Sequence, residues 1–262
     1  MSVVAPSEVV AELIDAAEKK ASLGWGDLLL RGFLSGALLA AATMVAFTVT
    51  EQAGSKSFVG ALVFPVGFVM IMLMGLELVT GNFATLPMAL AAKRIGIAMV
   101  GRNWLHVYLA NLVGSVVVGA LLWLGLSKLG HIAPVGSEYL VSVAKGKTLA
   151  YKELGSAGML VAFVKAVLCN WLVTLGVVMA FSSRDTVGKV LAIWLPIFTF
   201  FAMGLEHSVV NMFVIPTAML FGAQISFVDW WLWNQIPVTL GNIVGAVFFT
   251  GLPLWWTHRR RS

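Results

Sequence analysis

Two short stretches carry a carboxylate, an amide and a proline at matching intervals. Gly75-Leu76-Glu77 is followed by Asn82 and Pro87, seven and twelve residues after the glycine, and Gly204-Leu205-Glu206 by Asn211 and Pro216 at the same spacings. A carboxylate accepts hydrogen bonds and an amide both donates and accepts them. Glu77, Glu206, Asn82 and Asn211 can therefore satisfy backbone groups that a broken helix leaves open. Each is either such a staple or a group that meets a solute, and a bare carboxylate would repel an anion. His207 follows Glu206 where the first stretch has Leu78. Its imidazole is the side chain best placed to exchange a proton near neutral pH.

The elements that hold these residues are apolar. Of 262 residues 60% are hydrophobic and 11% charged, with a mean hydropathy of +0.93, whereas a soluble domain carries about a quarter charged residues. Runs free of Asp, Glu, Lys and Arg extend over Gly32 to Thr50, Ser57 to Leu76, Asn103 to Ser127, Val190 to Leu205, Ser208 to Val228 and Trp230 to Thr257. Each approaches the ~20 residues that cross a bilayer as a helix; a β-barrel would alternate in short segments. The reading is an all-α, polytopic membrane protein. The net charge of +5 sits in short loops, so nucleic acid is not expected as a partner. A single cysteine, Cys169, excludes a disulfide framework.

Six spans are predicted near 29–50, 58–76, 103–127, 156–181, 190–205 and 235–256. The short apolar pieces near 83–92 and 211–224 are the second halves of the second and fifth spans, interrupted at Glu77 to Asn82 and Glu206 to Asn211. The two stretches repeat at offset 129; Asn103 and Asn111 match Asn234 and Asn242 at 131, and Phe33 to Ala40 matches Phe163 to Asn170 at 130. Three helices thus repeat once, and because three is odd the second copy runs inverted. Inverted repeats with broken helices are the build of transporters and channels, whose site lies near the midplane. An ionisable group at that depth is a functional candidate, which strengthens His207.

Eleven Lys and Arg, including Lys19, Lys20, Arg184 and Arg259 to Arg261, fall on one side, and five, Lys56, Lys128, Lys145, Lys147 and Lys152, on the other. Both termini are then cytoplasmic. The expected organisation is an amphipathic cytoplasmic helix within 1–28, a first repeat at 29–127, an extracytoplasmic loop at 128–155, a second repeat at 156–257 and a basic cytoplasmic tail at 258–262. The charged N-terminal stretch is unlike a cleaved signal peptide. Lys165, in the fourth span, either attracts anions or pairs with an acid elsewhere in the bundle, and a structural or snorkelling lysine is the favoured reading. Gly- and Ala-rich stretches suit close helix packing, and the Trp clusters at Trp230, Trp231, Trp233, Trp255 and Trp256 suit a membrane interface.

Gly204-Leu-Glu-His-Ser-Val-Val-Asn-Met-Phe-Val-Ile-Pro216, with Leu168-Cys-Asn-Trp-Leu-Val173 and Asn103-Trp-Leu-His-Val-Tyr-Leu-Ala-Asn111, resembles the formate/nitrite transporter family over almost the whole chain. The resemblance implies an aquaporin-like bundle, a homopentamer with one pore per protomer, and a prokaryotic inner membrane. It implies small monovalent anions, namely formate, nitrite or hydrosulfide, as cargo, with protons; no enzyme activity, cofactor or metal is implied. By position His207 is the central pore histidine and Thr80 lies opposite it. Leu78 and Val79 share its loop and Asn170 lines the pore. Phe64 and Phe68 would form one constriction and Phe200 part of the other. Val79 stands where relatives often have Phe, and Leu154 where they have an entrance Lys, so anion attraction passes to Lys152. Rival readings are a neutral-solute channel, which would carry the paired Asn-Pro-Ala motifs that are missing here, a haem protein ligated by His106 and His207, and a subunit without transport.

Overall fold

The computed structural model describes residues 3–258. The Arg259 to Arg261 tail used for orientation lies outside the described residues. In chain order the helices are α1 (Pro6–Ser22), α2 (Trp25–Gln52), α3 (Ser57–Val63), α4 (Pro65–Leu73), α5 (Val79–Ala91), α6 (Ile97–Leu126) and α7 (Ser137–Lys147). There follow α8 (Leu149–Glu153), α9 (Ser156–Ala180), α10 (Thr186–Ala202), α11 (Ser208–Leu220), α12 (Phe227–Trp230), α13 (Ile236–Ala246) and α14 (Leu252–His258). Two π-helical turns, Trp231–Gln235 and Val247–Gly251, join the last three into one rod.

Among the described residues four helices are long and apolar enough to cross a membrane: Trp25–Gln52, Ile97–Leu126, Ser156–Ala180 and Phe227–His258. The interrupted elements are α3/α4 followed by α5, and α10 followed by α11. Gly75 and Gly204 adopt positive φ of 63° and 60° and end α4 and α10 identically. Leu76 N–H bonds Ile71 O and Leu205 N–H bonds Phe200 O, while the glycine N–H groups bond Met72 O and Phe201 O. This pairing is the Schellman closure, for which a residue without Cβ is suited. The second halves begin at Val79 and Ser208, so the breaks are shorter than the sequence suggests. Asn82 and Asn211 belong to the first turn of α5 and α11, not to the breaks.

The repeat is visible in packing. α2 lies along α6 and α9 along α13. A Cβ at Gly114 would strike Phe33 O, and one at the matching Gly245 would strike Val167 O. Glycine is needed at both places because the backbones touch. Tyr108 and Thr239, equivalent at offset 131, contact each other through Oη and Oγ1 at 3.3 Å, which places the pseudo-two-fold relation between α6 and α13. The segment 128–155, expected as a loop, carries α7 and α8, and α7 packs on α11 much as α1 packs on α5. On α6 the apolar Leu105, Leu109, Val113 and Leu121 are exposed while Asn103 and Asn111 are fully buried, the reverse of a soluble helix.

Candidate functional site

Each break is closed by an asparagine from the long helix that follows it. Val79 N–H donates to Asn111 Oδ1 at 3.0 Å, and Asn111 Nδ2 donates back to Gly32 O and Glu77 O. In the second copy Ser208 N–H donates to Asn242 Oδ1 at 2.8 Å, and Asn242 Nδ2 donates to Ala166 O and Glu206 O. One amide thus serves both a donor and two acceptors that lipid could not satisfy.

The carboxylates do a different job from the one expected of them, meeting side chains instead of loop N–H groups. Glu77 Oε1 accepts from Lys20 Nζ at 2.9 Å and Oε2 from Asn82 Nδ2 at 2.7 Å. Glu206 Oε1 accepts from Tyr151 Oη at 2.7 Å, and Oε2 accepts from Asn211, Asn234 and Lys147 at 2.8, 3.2 and 3.0 Å. All four oxygens are engaged by protein donors. Burial and the Glu206 charge raise the Tyr151 phenol above its ordinary range, so it stays a donor.

Between the breaks His207 and Thr80 meet. His207 caps α11: its Nδ1 accepts Val210 N–H at 3.2 Å. That bond leaves the proton of the neutral ring on Nε2, which lies 3.0 Å from Thr80 Oγ1. Asn170 Nδ2 donates to Thr80 O and Asn242 O at 3.1 and 2.8 Å. Its Oδ1 and Ser208 Oγ are buried without a protein hydrogen-bond partner. The Phe200 ring stacks on His207, centroids 5.7 Å apart. Two cavities flank this pair from opposite ends of the bundle. One, of about 300 Å³, lies under α1 and is lined by Leu13, Lys20, Phe68, Leu78 and Asn82. The other, of about 390 Å³, lies under α7 and is lined by Lys147, Tyr151, Lys165, Phe200, Glu206 and His207. Leu78 and His207 are repeat equivalents, so the copies contribute an apolar group to one cavity and a proton-bearing group to the other.

The sequence profile of the formate/nitrite transporter family matches residues 7–256. The chain belongs to this family. A relative from Methanothermobacter thermautotrophicus named as a probable formate transporter is 37% identical over 267 residues, covering 97% of this chain and 96% of that protein. The formate channel BtFdhC of Bacillus thuringiensis is 33% identical over 265 residues, covering 98% of this chain and 96% of that protein. A solved FNT family ion channel superposes with a TM-score of 0.83 at 29% identity, covering 95% of this chain and 98% of that one. A pentameric formate channel with formate bound gives 0.73 at 27% identity, covering 89% and 97%. These neighbours are channels and transporters, not enzymes, and this member of the formate/nitrite transporter family is a multi-pass membrane protein.

Within this formate/nitrite transporter fold the remaining expected residues fall as follows. Phe68 lines the α1-side cavity and Phe200 the α7-side cavity. Phe64 stacks on Phe201 at 4.0 Å and meets Phe200 edge-on at 5.6 Å. Val79 is fully buried at the start of α5. Lys152 pairs with Asp229 at 2.8 Å and is not among the residues lining the α7-side cavity, where Lys147 stands instead. His106 Nδ1 contacts Arg102 O on its own helix. Sequence reasoning assigned no role to Lys20, Lys147, Tyr151 or the four asparagines Asn103, Asn111, Asn234 and Asn242. For the asparagines the signal was present, because they mark the repeat and a buried amide needs partners.

Proposed function

We propose that this protein conducts formate, with nitrite and hydrosulfide as related weak-acid anions, through a pore in each protomer of a homopentamer. The membrane is the inner membrane of a prokaryote, with α1 and both termini cytoplasmic, on the charge asymmetry of the loops. The observation that carries the reading is the His207–Thr80 pair, set between two cavities at the facing N-termini of α5 and α11. Helix N-termini favour an anion, and Phe200, Leu78 and Phe68 make the walls around the pair apolar. A bare anion crossing such a wall costs several kcal/mol; its neutral acid crosses at far less. His207 Nε2–H is placed to donate a hydrogen bond to the anion at this point, and a proton arriving from bulk water through the cavity neutralises the anion for the crossing while the ring stays neutral. The likeness to formate channels supports formate as the first substrate to test.

The test is flux through purified protein in liposomes. Formate flux is expected to rise as pH falls from about 8 to about 5, and His207→Ala is expected to flatten that response while the assembly stays intact. Equal pH profiles for the two proteins would overturn the proton-linked step. Passage of water or glycerol without any anion would overturn the cargo.

A further inference from the structure

The α7-side cavity contains two ammonium groups and one carboxylate, and only one ammonium is matched. Lys147 gives its charge to Glu206 at 3.0 Å and a hydrogen bond to Leu205 O at 3.2 Å. Every Glu206 oxygen is already taken by Lys147, Tyr151, Asn211 or Asn234. Lys165 lines the same cavity from α9, half-buried, and no hydrogen bond or ion pair joins its Nζ to any described residue. The charged groups acting on it are Glu206 and Lys147, which already neutralise each other, and the buried Cys169 lies one turn further along its helix. Its repeat equivalent at offset 130 is Ser35, a neutral buried side chain, so the second copy alone puts a charge here. The sequence favours a structural or snorkelling lysine; in the structure Lys165 lines the cavity that ends at His207. An ammonium within a spanning helix is costly and is held by a partner, and the one acid lining this cavity, Glu206, is already engaged.

We infer that Lys165 is the docking cation of the α7-side cavity, binding a small monovalent oxyanion such as formate before it reaches His207. This rests on the anion-conducting reading above. Lys165 determines capture, whereas the passage step belongs to the His207–Thr80 pair. Removing the ammonium therefore weakens apparent affinity and leaves the saturated rate in place.

Two measurements test it: initial formate flux in liposomes as a function of formate concentration at low salt, and the formate-dependent rise of the unfolding midpoint in detergent. Both use wild type, Lys165→Met, Lys165→Gln and Lys165→Arg. The expected result is a half-saturating concentration raised about tenfold in the Met and Gln variants, as for loss of one charge-assisted contact. Their maximal flux is close to wild type, their formate-dependent stabilisation is lost, and Arg restores both readouts. Wild-type affinity and stabilisation in Met or Gln overturns the inference while anion conduction stands. Formate stabilisation that depends on Lys165 without any flux keeps the docking site and overturns the channel reading. If wild type shows neither flux nor stabilisation by formate, both fall.

Discussion

Lys20 and Lys147 occupy equivalent places at opposite ends of the bundle. Lys20 Nζ lies 2.9 Å from Glu77 Oε1 and its carbonyl accepts from Asn103 Nδ2; Lys147 Nζ lies 3.0 Å from Glu206 Oε2 and its carbonyl accepts from Asn234 Nδ2. The offset is 127, so α1 and α7 form a fourth matched pair beside the three repeated helices. Each is an amphipathic helix whose last turn roofs one cavity. The equivalence is not complete. Glu77 receives two donors and Glu206 four, and Asn82 Oδ1 takes a second bond from Lys20 while Asn211 Oδ1 has no partner.

That difference predicts unequal costs. Glu206→Ala removes the counter-charge of Lys147, which is only 14% exposed, and takes an acceptor from Tyr151, Asn211 and Asn234. Its cost is expected in the range of about 3–5 kcal/mol found for a broken buried pair. Glu77→Ala frees a lysine that is 28% exposed and able to reach water, so the loss is expected to be about half as large. Unfolding midpoints of the detergent-solubilised variants check the order; equal shifts would contradict it.

The asparagine staples should behave alike. Asn111→Ala strands Val79 N–H, and Asn242→Ala strands Ser208 N–H, each fully buried donor having no second partner named above. An unsatisfied buried group costs about 1–3 kcal/mol, and each variant also loses two donated bonds. Both are expected to lower stability and to reduce flux, because the loops that carry Leu78 and His207 lose their anchor. A variant with wild-type stability at either position would show that the break finds its partner elsewhere.

A pH effect is expected at α1. Glu12 Oε2 accepts from Arg184 Nη1 at 2.9 Å and Arg184 also reaches Glu8 at 2.6 Å. The Arg184 hydrogen bond and charge, with Lys189 beyond, outweigh desolvation and hold the Glu12 carboxyl below its ordinary value. A lowered folded pKa stabilises the docked helix above the unfolded value of about 4.3, and the stabilisation fades as pH falls through the folded value. Spin labels at Ser7 and Val187 should therefore keep a narrow distance distribution at neutral pH and broaden only below about pH 4. Arg184→Gln should remove that pH step. A distribution unchanged down to about pH 3 would refute the linkage.

Much of this molecule is written locally in its sequence. The apolar runs dictate membrane helices because a spanning segment must hide its own backbone polar groups, and Gly75-Leu-Glu and Gly204-Leu-Glu mark breaks because a glycine with positive φ closes a helix. His207 could be singled out because the matching position of the first copy is Leu78. Partnerships were not legible. Whether Glu77 and Glu206 meet backbone or lysine depended on where two amphipathic helices, 57 and 59 residues upstream, set down their last turns. Tertiary packing decided that Lys152 faces Asp229, that Phe64 joins Phe200 and that Lys165 turns into a cavity. Spacing fixes which residues share a helix face; only the docking of helices distant in sequence fixes which charges neutralise each other, and so which charge remains for a ligand.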